Sequence, residues 1–282
     1  MHLAVPGAVG HFYNLEQSLT SAHHAHQDTA YVTTGFHSDL LFWRQLCADI
    51  PTRPTYFAKI VQRLPTDIGF ADASGLGAGG VWIDPNEDGL NYVWHLPWPE
   101  DIRTDLVSFD NPQGRITNSD LELAALVLQE ATFPFICPSP AWRAPFTGSN
   151  NTPTVAWSLR ESSTINPVVA DHLRIWSLVN RQFCITPSVF YHPGPLNTMA
   201  DDASQTFELD LTNFLSTFSS TYFPLQSPGS WRACHPLSEI ISCVISALRK
   251  HAFEVDILPV RKQTTSTETG WTSAPKCRST TH

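Results

Sequence analysis

The sequence predicts an α/β fold, and three observations carry that reading. Three short strand-like runs, at 68–73, 80–84 and 92–96, follow one another across turn residues and read as a meander. Two more such runs, at 146–149 and 188–191, stand apart along the chain. Segments of helical period lie between strands, the clearest over 167–183, where Val168, Val169, Leu173, Trp176 and Val179 share one face. With 282 residues, 42% of them hydrophobic, the chain can bury one medium domain with extensions, or two small domains.

In chain order, residues 1–65 read as an irregular leader with one helix over 37–47. Leu40, Leu41, Trp43 and Leu46 form its apolar stripe, and Asp39 in its first turn favours the helix dipole. Pro51 and Pro54 end it. Pro85, Asn86, Asp88 and Gly89 punctuate the second and third strands. Ser119-Asp120-Leu121-Glu122 has the pattern of a capping box that opens a helix through Leu128. A helix start is expected near Thr152-Pro153, since Pro suits a first turn. His192-Pro193-Gly194-Pro195 is a turn, and a helix begins near Asn197. After Gln205 come short aromatic segments and one helix over 236–250. The Thr- and Ser-rich end, from about residue 261, is expected to be disordered.

Charge limits what the chain can hold. The net charge is −9, and residues 66–205 carry 16 acidic residues against 6 Arg and no Lys, a net of −10. Any nucleic-acid contact there has to lean on metal ions, a few Arg or a basic neighbour. No apolar run reaches the eighteen or so residues of a membrane span, so no membrane partner is expected. The six Cys (47, 137, 184, 234, 243 and 277) form no close pair, which reads as free thiols and an intracellular setting, cytoplasm or nucleus.

Three motifs are weaker than they look. Gly75, Gly77 and Gly80 fit the spacing of a dinucleotide loop, but Val81-Trp82-Ile83 after them is β-like, and pyrophosphate needs a helix N-terminus there. A hairpin turn is the better account. Met199-Ala200-Asp201-Asp202 has the paired aspartates of a polymerase palm, but lies in an expected helix. His23, His24 and His26 place no clean pair on one helix face and read as an exposed polar turn.

Asp72, Glu122 and Asp201 differ, because each sits where an α/β sheet can gather carboxylates: a strand end, a helix first turn and the start of a late helix. Taken singly, Glu122 could be only a cap and Asp201 only a dipole partner. Four motifs in order raise the functional reading. They are Asp72-Ala73-Ser74-x-x-Gly77-x-Gly79-Gly80-Val81-Trp82, Ile116-Thr117-Asn118-Ser119-x-Leu121-Glu122-Leu123-x-Ala125, Ser149-Asn150-Asn151-Thr152-x-x-Val155-Ala156-Trp157, and His192-Pro193-Gly194-x-x-Asn197-x-x-Ala200-Asp201-x-x-Ser204. Together they resemble the ribonuclease H domain of eukaryotic retroelement polyproteins. The likeness is to elements of the tyrosine-recombinase type, in which a recombinase follows the reverse transcriptase and ribonuclease H. It covers roughly residues 66–205. Residues 6–43 resemble the connection that follows the polymerase region in such elements, 206–260 a short helical linker, and 261–282 a disordered tail.

The resemblance implies a mixed five-stranded sheet, three antiparallel strands and then parallel ones, flanked by helices. It implies two-metal hydrolysis of RNA in an RNA–DNA hybrid, with Mg²⁺ or Mn²⁺ ions about 4 Å apart held by four carboxylates. Asp72 would bridge the ions, Glu122 and Asp201 would each hold one side, and His192 would assist proton transfer or product release, unless its turn is structural. The polymerase domain of the parent polyprotein is the implied partner. The third aspartate of the family falls on Asn150, and no other carboxylate lies between Glu130 and Glu161. Ala203 and Gln205 depart from the pattern more softly. Misplacing an ion by about 1 Å can lower a rate on the order of 100-fold, so the expected activity is impaired. The alternatives are a non-catalytic module that binds nucleic acid or protein, and a non-functional fragment of a decayed polyprotein.

Overall fold

A computed structural model describes residues 12–50, 64–83, 91–136, 143–160, 166–183, 185–222 and 231–250. The sequence expectations for the turn at 85–89 and for the end of the chain lie outside these residues, as do Cys137, Cys184 and Cys277.

Two helices open the described chain, α1 (Tyr13–His24) and α2 (Thr34–Asp49). The first was not expected, and its sequence explains why: only Tyr13 is buried, so there is no apolar stripe to read. His23 and His24 end it and His26 follows in a left-handed conformation, all three exposed. Asp39 does not act on the helix dipole. It lies in the second turn of α2 and is 1% exposed. Its carboxylate accepts the backbone N–H groups of Asn14 (2.9 Å) and Leu15 (3.2 Å) and pairs with Arg174.

The meander follows as β1 (Asp67–Ala73), β2 (Gly77–Ile83) and β3 (Tyr92–Pro97), with antiparallel pairing in register Phe70↔Val81 and Val81↔Val93. β2 starts three residues before the expected strand and takes in Gly77 and Gly79. Glycine inside a strand often marks a close backbone approach. Here a Cβ on Gly79 would run into the Ala203–Ser204 backbone, so the glycine lets a helix lie flush on the strand.

After the short α3 (Glu100–Thr104) comes α4 (Asn118–Ile136), apolar on nearly every side because it is sandwiched between the sheet and other helices. Its capping box is not the expected Ser119–Glu122 pair. Thr117 Oγ1 accepts the Asp120 N–H (3.2 Å), and Asp120 Oδ2 accepts the Thr117 N–H (2.9 Å). That arrangement leaves Glu122 free of capping.

Then come β4 (Pro145–Ser149), α5 (Thr152–Arg160), α6 (Pro167–Gln182, capped by Asn166), β5 (Ser188–Tyr191), a single 3-10 turn (Gly194–Leu196) and α7 (Thr198–Gln205). The described chain closes with α8 (Leu211–Thr221), β6 (Arg232–Ala233) and α9 (Ser238–Leu248). The sheet is six-stranded, in the order β5-β4-β1-β2-β3-β6. The β1–β2 and β2–β3 pairs are antiparallel; β1–β4, β4–β5 and β3–β6 are parallel. The mixed α/β sheet flanked by helices is thus present, with β6 added to the five expected strands. Two residues of strand are too few to read from sequence.

The main core lies between one sheet face and α4, α6 and α9. A smaller core covers the opposite face, where Val81 and Val93 meet Ala203, Phe214, Phe218 and Trp231. Helices α8 and α9, in the stretch expected as linker, therefore pack on opposite faces of the sheet. No helix of the described residues is long and apolar enough to cross a membrane. Cys47, Cys234 and Cys243 are free thiols.

Arg174 also holds Asp171 on its own helix at 2.6 Å, and its nearly dry ion pair with Asp39 joins α6 to α2. Arg174→Leu strands the Asp39 carboxylate in that interface. The expected loss is about 3 kcal/mol, read from urea unfolding at neutral pH. Glu130, fully buried, accepts Thr147 Oγ1 (2.8 Å), while its other oxygen has no partner. Burial, before any other cause, pushes its carboxyl up to about 8. A folded value above the unfolded one gives stability that is complete at low pH and is lost as pH rises through about 8. Glu130→Gln is therefore expected to raise the thermal midpoint at about pH 9 and leave it nearly unchanged at about pH 4.

Candidate functional site

Strands β1, β4 and β5 run parallel, so their C-terminal ends share one edge, the usual place for chemistry in α/β sheets. Asp72 is the penultimate residue of β1. Asn150 follows β4 directly and His192 follows β5. From the main-core side, α4 brings Glu122. From the other face, α7 brings Asp201, because it rests on the glycines of β2.

Asp72 is buried and fully engaged by neutral donors. Asn150 Nδ2 (2.8 Å) and Asn197 Nδ2 (3.3 Å) donate to Oδ1, and the Ser204 hydroxyl lies 2.9 Å from Oδ2. Asn197 and Ser204 flank Asp201 on the chain, so the same contacts seat α7. Burial first, opposed by the Ser204 hydrogen bond and reinforced by the Asp201 charge, lifts the Asp72 carboxyl to about 6. Glu122 is also buried, and one of its oxygens, Oε2, has no hydrogen-bond partner. Desolvation, then the charges of Asp72 and Asp201, push its carboxyl well above the ordinary range, against hydrogen bonds from Asn118 and the Ala73 backbone.

Asp201 and Asp202 part company on α7. The charge of Asp201 acts on both Asp72 and Glu122. Asp202 is exposed and accepts the Tyr222 hydroxyl at 2.5 Å. The His192 ring packs on Phe70, with centroids 4.7 Å apart, and its backbone N–H bonds Ser149 O (2.9 Å). It stands at the same strand end as the carboxylates, but among the described residues its ring shares no hydrogen bond with them. Sequence reasoning missed Asn197 and Ser204 as partners of Asp72. Both lie in the closing motif, but nothing in their spacing shows that they turn toward a strand some 130 positions earlier.

The donor chemistry fits a divalent cation in kind. Hard oxygens crowd together, Asp201 raises Asp72 and both raise Glu122, and a buried oxygen on Glu122 is left unpartnered; a cation would relieve all three. Asp72, Glu122 and Asp201 would hold it. The set does not fit a pair of ions. Asn150 brings no charge and aims a donor, not an acceptor, at Asp72. Among the described residues no three His, Cys, Asp or Glu side chains already converge on one metal position.

No family model matches the chain, and no curated protein matches it. Solved structures of ribonuclease H domains are similar to it. An LC11 RNase H1 in complex with RNA/DNA hybrid is 14% identical, covering 49% of this chain and 92% of its own, with a TM-score of 0.36. The N-terminal RNase H domain of a Mycobacterium tuberculosis protein is 13% identical, covering 55% and 96%, with a TM-score of 0.35. RNase H1 from the archaeon Halobacterium salinarum is 16% identical, covering 49% and 92%, with a TM-score of 0.31.

Because Asp72 is protonated more readily folded than unfolded, its contribution to stability is complete below about pH 4 and is lost as pH rises through about 6. Asp72→Asn keeps an acceptor for both amides, and the Ser204 hydroxyl can turn to the Asp201 carbonyl, 2.9 Å away. In metal-free buffer this variant is expected to be about 2 kcal/mol more stable than the native chain at pH 8 and no more stable at pH 3.5, by thermal unfolding.

Proposed function

We propose that the chain is a ribonuclease H-like domain of retroelement origin, whose ancestral activity is metal-dependent cleavage of RNA in an RNA–DNA hybrid and whose activity is impaired. The observation that carries the reading is the place of Asn150. It sits at the end of a parallel strand, beside Asp72, with Asp201 acting on that carboxylate and both aspartates acting on Glu122, and it donates where a fourth carboxylate would accept. The four sequence motifs fall on the four elements that build this edge.

A bound divalent cation would supply charge for the attacking water and the leaving oxygen. The chain's own residues account for the rest. Asp72, anchored by Asn197 and Ser204, is the fixed point of the set. Glu122 offers an unpartnered oxygen. Asp201 completes the negative field. His192 stands beside the edge, where it could take part in proton transfer once a substrate phosphate lies across Asp72. Mg²⁺ or Mn²⁺ is the proposed ion, an RNA–DNA hybrid the proposed partner, and a polymerase region of a parent polyprotein the proposed neighbour.

A second reading draws on the same contact. Asp72 is already satisfied by neutral donors, so the edge can stand without a cation, as a module that only binds nucleic acid would require.

Native protein and an Asn150→Asp variant, incubated with a labelled RNA–DNA hybrid and Mg²⁺ or Mn²⁺, separate these readings. The native chain is expected to cut slowly or not at all, and the variant at least 100-fold faster, on the order expected when a misplaced ion is restored. Brisk cleavage by the native chain would overturn the impairment. Hybrid binding without cleavage by either protein would favour the binding module.

A further inference from the structure

Two adjacent aspartates occupy α7, and a helix offers only one of them to Asp72. Neighbouring positions on an α-helix point about 100° apart, so which aspartate faces Asp72 depends on the rotation of α7 about its axis. The contacts around α7 show what holds it in the observed rotation.

On one side, the Ser204 hydroxyl reaches Asp72 Oδ2 at 2.9 Å, and Ser74 Oγ donates to the Ser204 carbonyl at 2.6 Å. On the other, the Tyr222 hydroxyl lies 2.5 Å from Asp202 Oδ2 and 3.2 Å from the Thr198 carbonyl, in the first turn of α7. Tyr222 is itself held. Trp231 Nε1 donates to its carbonyl at 2.8 Å, and its ring packs on Phe218, 4.8 Å between centroids. Trp231 adjoins β6, which is paired to β3, so the support behind the tyrosine is the sheet.

We infer that Tyr222 is a positioning residue. By holding Asp202 and the first turn of α7 from outside, it fixes the rotation that presents Asp201 to Asp72. This rests on the proposed carboxylate set. It assigns Asp202 the task of engaging Tyr222 and removes it from the candidates for metal contact. It also gives α8 and Trp231 a place in the site's construction.

The test uses the full-length chain carrying Asn150→Asp and needs no cleavage. Mn²⁺ is titrated, and the free ion is counted by its paramagnetic resonance signal. Adding Tyr222→Phe is expected to weaken binding on the order of tenfold, the usual effect of losing support behind a ligand. Asp202→Ala should weaken it equally, and the two changes together should be no worse than either. Asp202→Asn retains an acceptor for the hydroxyl and should keep most of the affinity. A purely structural role would lower the thermal midpoint of Tyr222→Phe and leave its Mn²⁺ affinity unchanged; that result overturns the inference. So does loss of affinity in Asp202→Ala with none in Tyr222→Phe, which would make Asp202 a ligand. If the chain with Asn150→Asp alone binds no Mn²⁺, the carboxylate reading fails and this inference falls with it. Binding by that chain with no loss in Tyr222→Phe sinks the inference alone.

Discussion

One buried amide sets the geometry of this protein. Gln129, in the middle of α4, accepts the Trp94 indole N–H at 2.5 Å and donates to the Val81 carbonyl at 2.8 Å. Thr132, one turn on, accepts the Trp82 indole N–H at 2.7 Å. An unpaired polar group in this setting would cost about 1–3 kcal/mol, so these bonds hold α4 in one register against the sheet. Glu122 lies two turns before Gln129 on the same face, so the clamp that fixes the helix also fixes the height of the carboxylate beside Asp72. The glycines opposite, in β2, fix how closely α7 approaches from the other face. The site is the line where those two placements meet.

The interior of the sheet was legible because its signal is local. Runs of alternating or apolar residues bounded by turn formers mark β1, β3, β4 and β5, and an apolar stripe marks α6. What escaped depends on partners distant in sequence. Asp39 reads as a dipole partner until Arg174, 135 residues away, is seen to engage it. Gly77 and Gly79 read as turn until α7 is laid across them. α8 is rich in Ser and Thr and became a helix because Phe214 and Phe218 had a sheet face to cover. The motif reading proposes the three carboxylates and Asn150 as one set. That Asn150 would turn its nitrogen to Asp72 was not legible, because an amide can present either end.

Electrostatically the site is an unfinished balance. Burial, and then the charge of Asp201 on Asp72 and of both aspartates on Glu122, raise these two carboxyls, and the remedies on hand are neutral hydrogen bonds. Such bonds settle a carboxyl but do not cancel a field. The acidic excess of residues 66–205 adds to that field, so any polyanion approaching this edge needs cations, whether ions or the side chains of a neighbour.

The sheet narrows outward. Its central strands are seven residues long, while the outer ones have four (β5) and two (β6). An exposed edge is a template on which a foreign strand can add, and the length of the template limits how many backbone bonds the intruder can make. A margin this short gives little purchase for growth of the sheet into a neighbouring molecule, so self-association by strand addition is disfavoured at both borders.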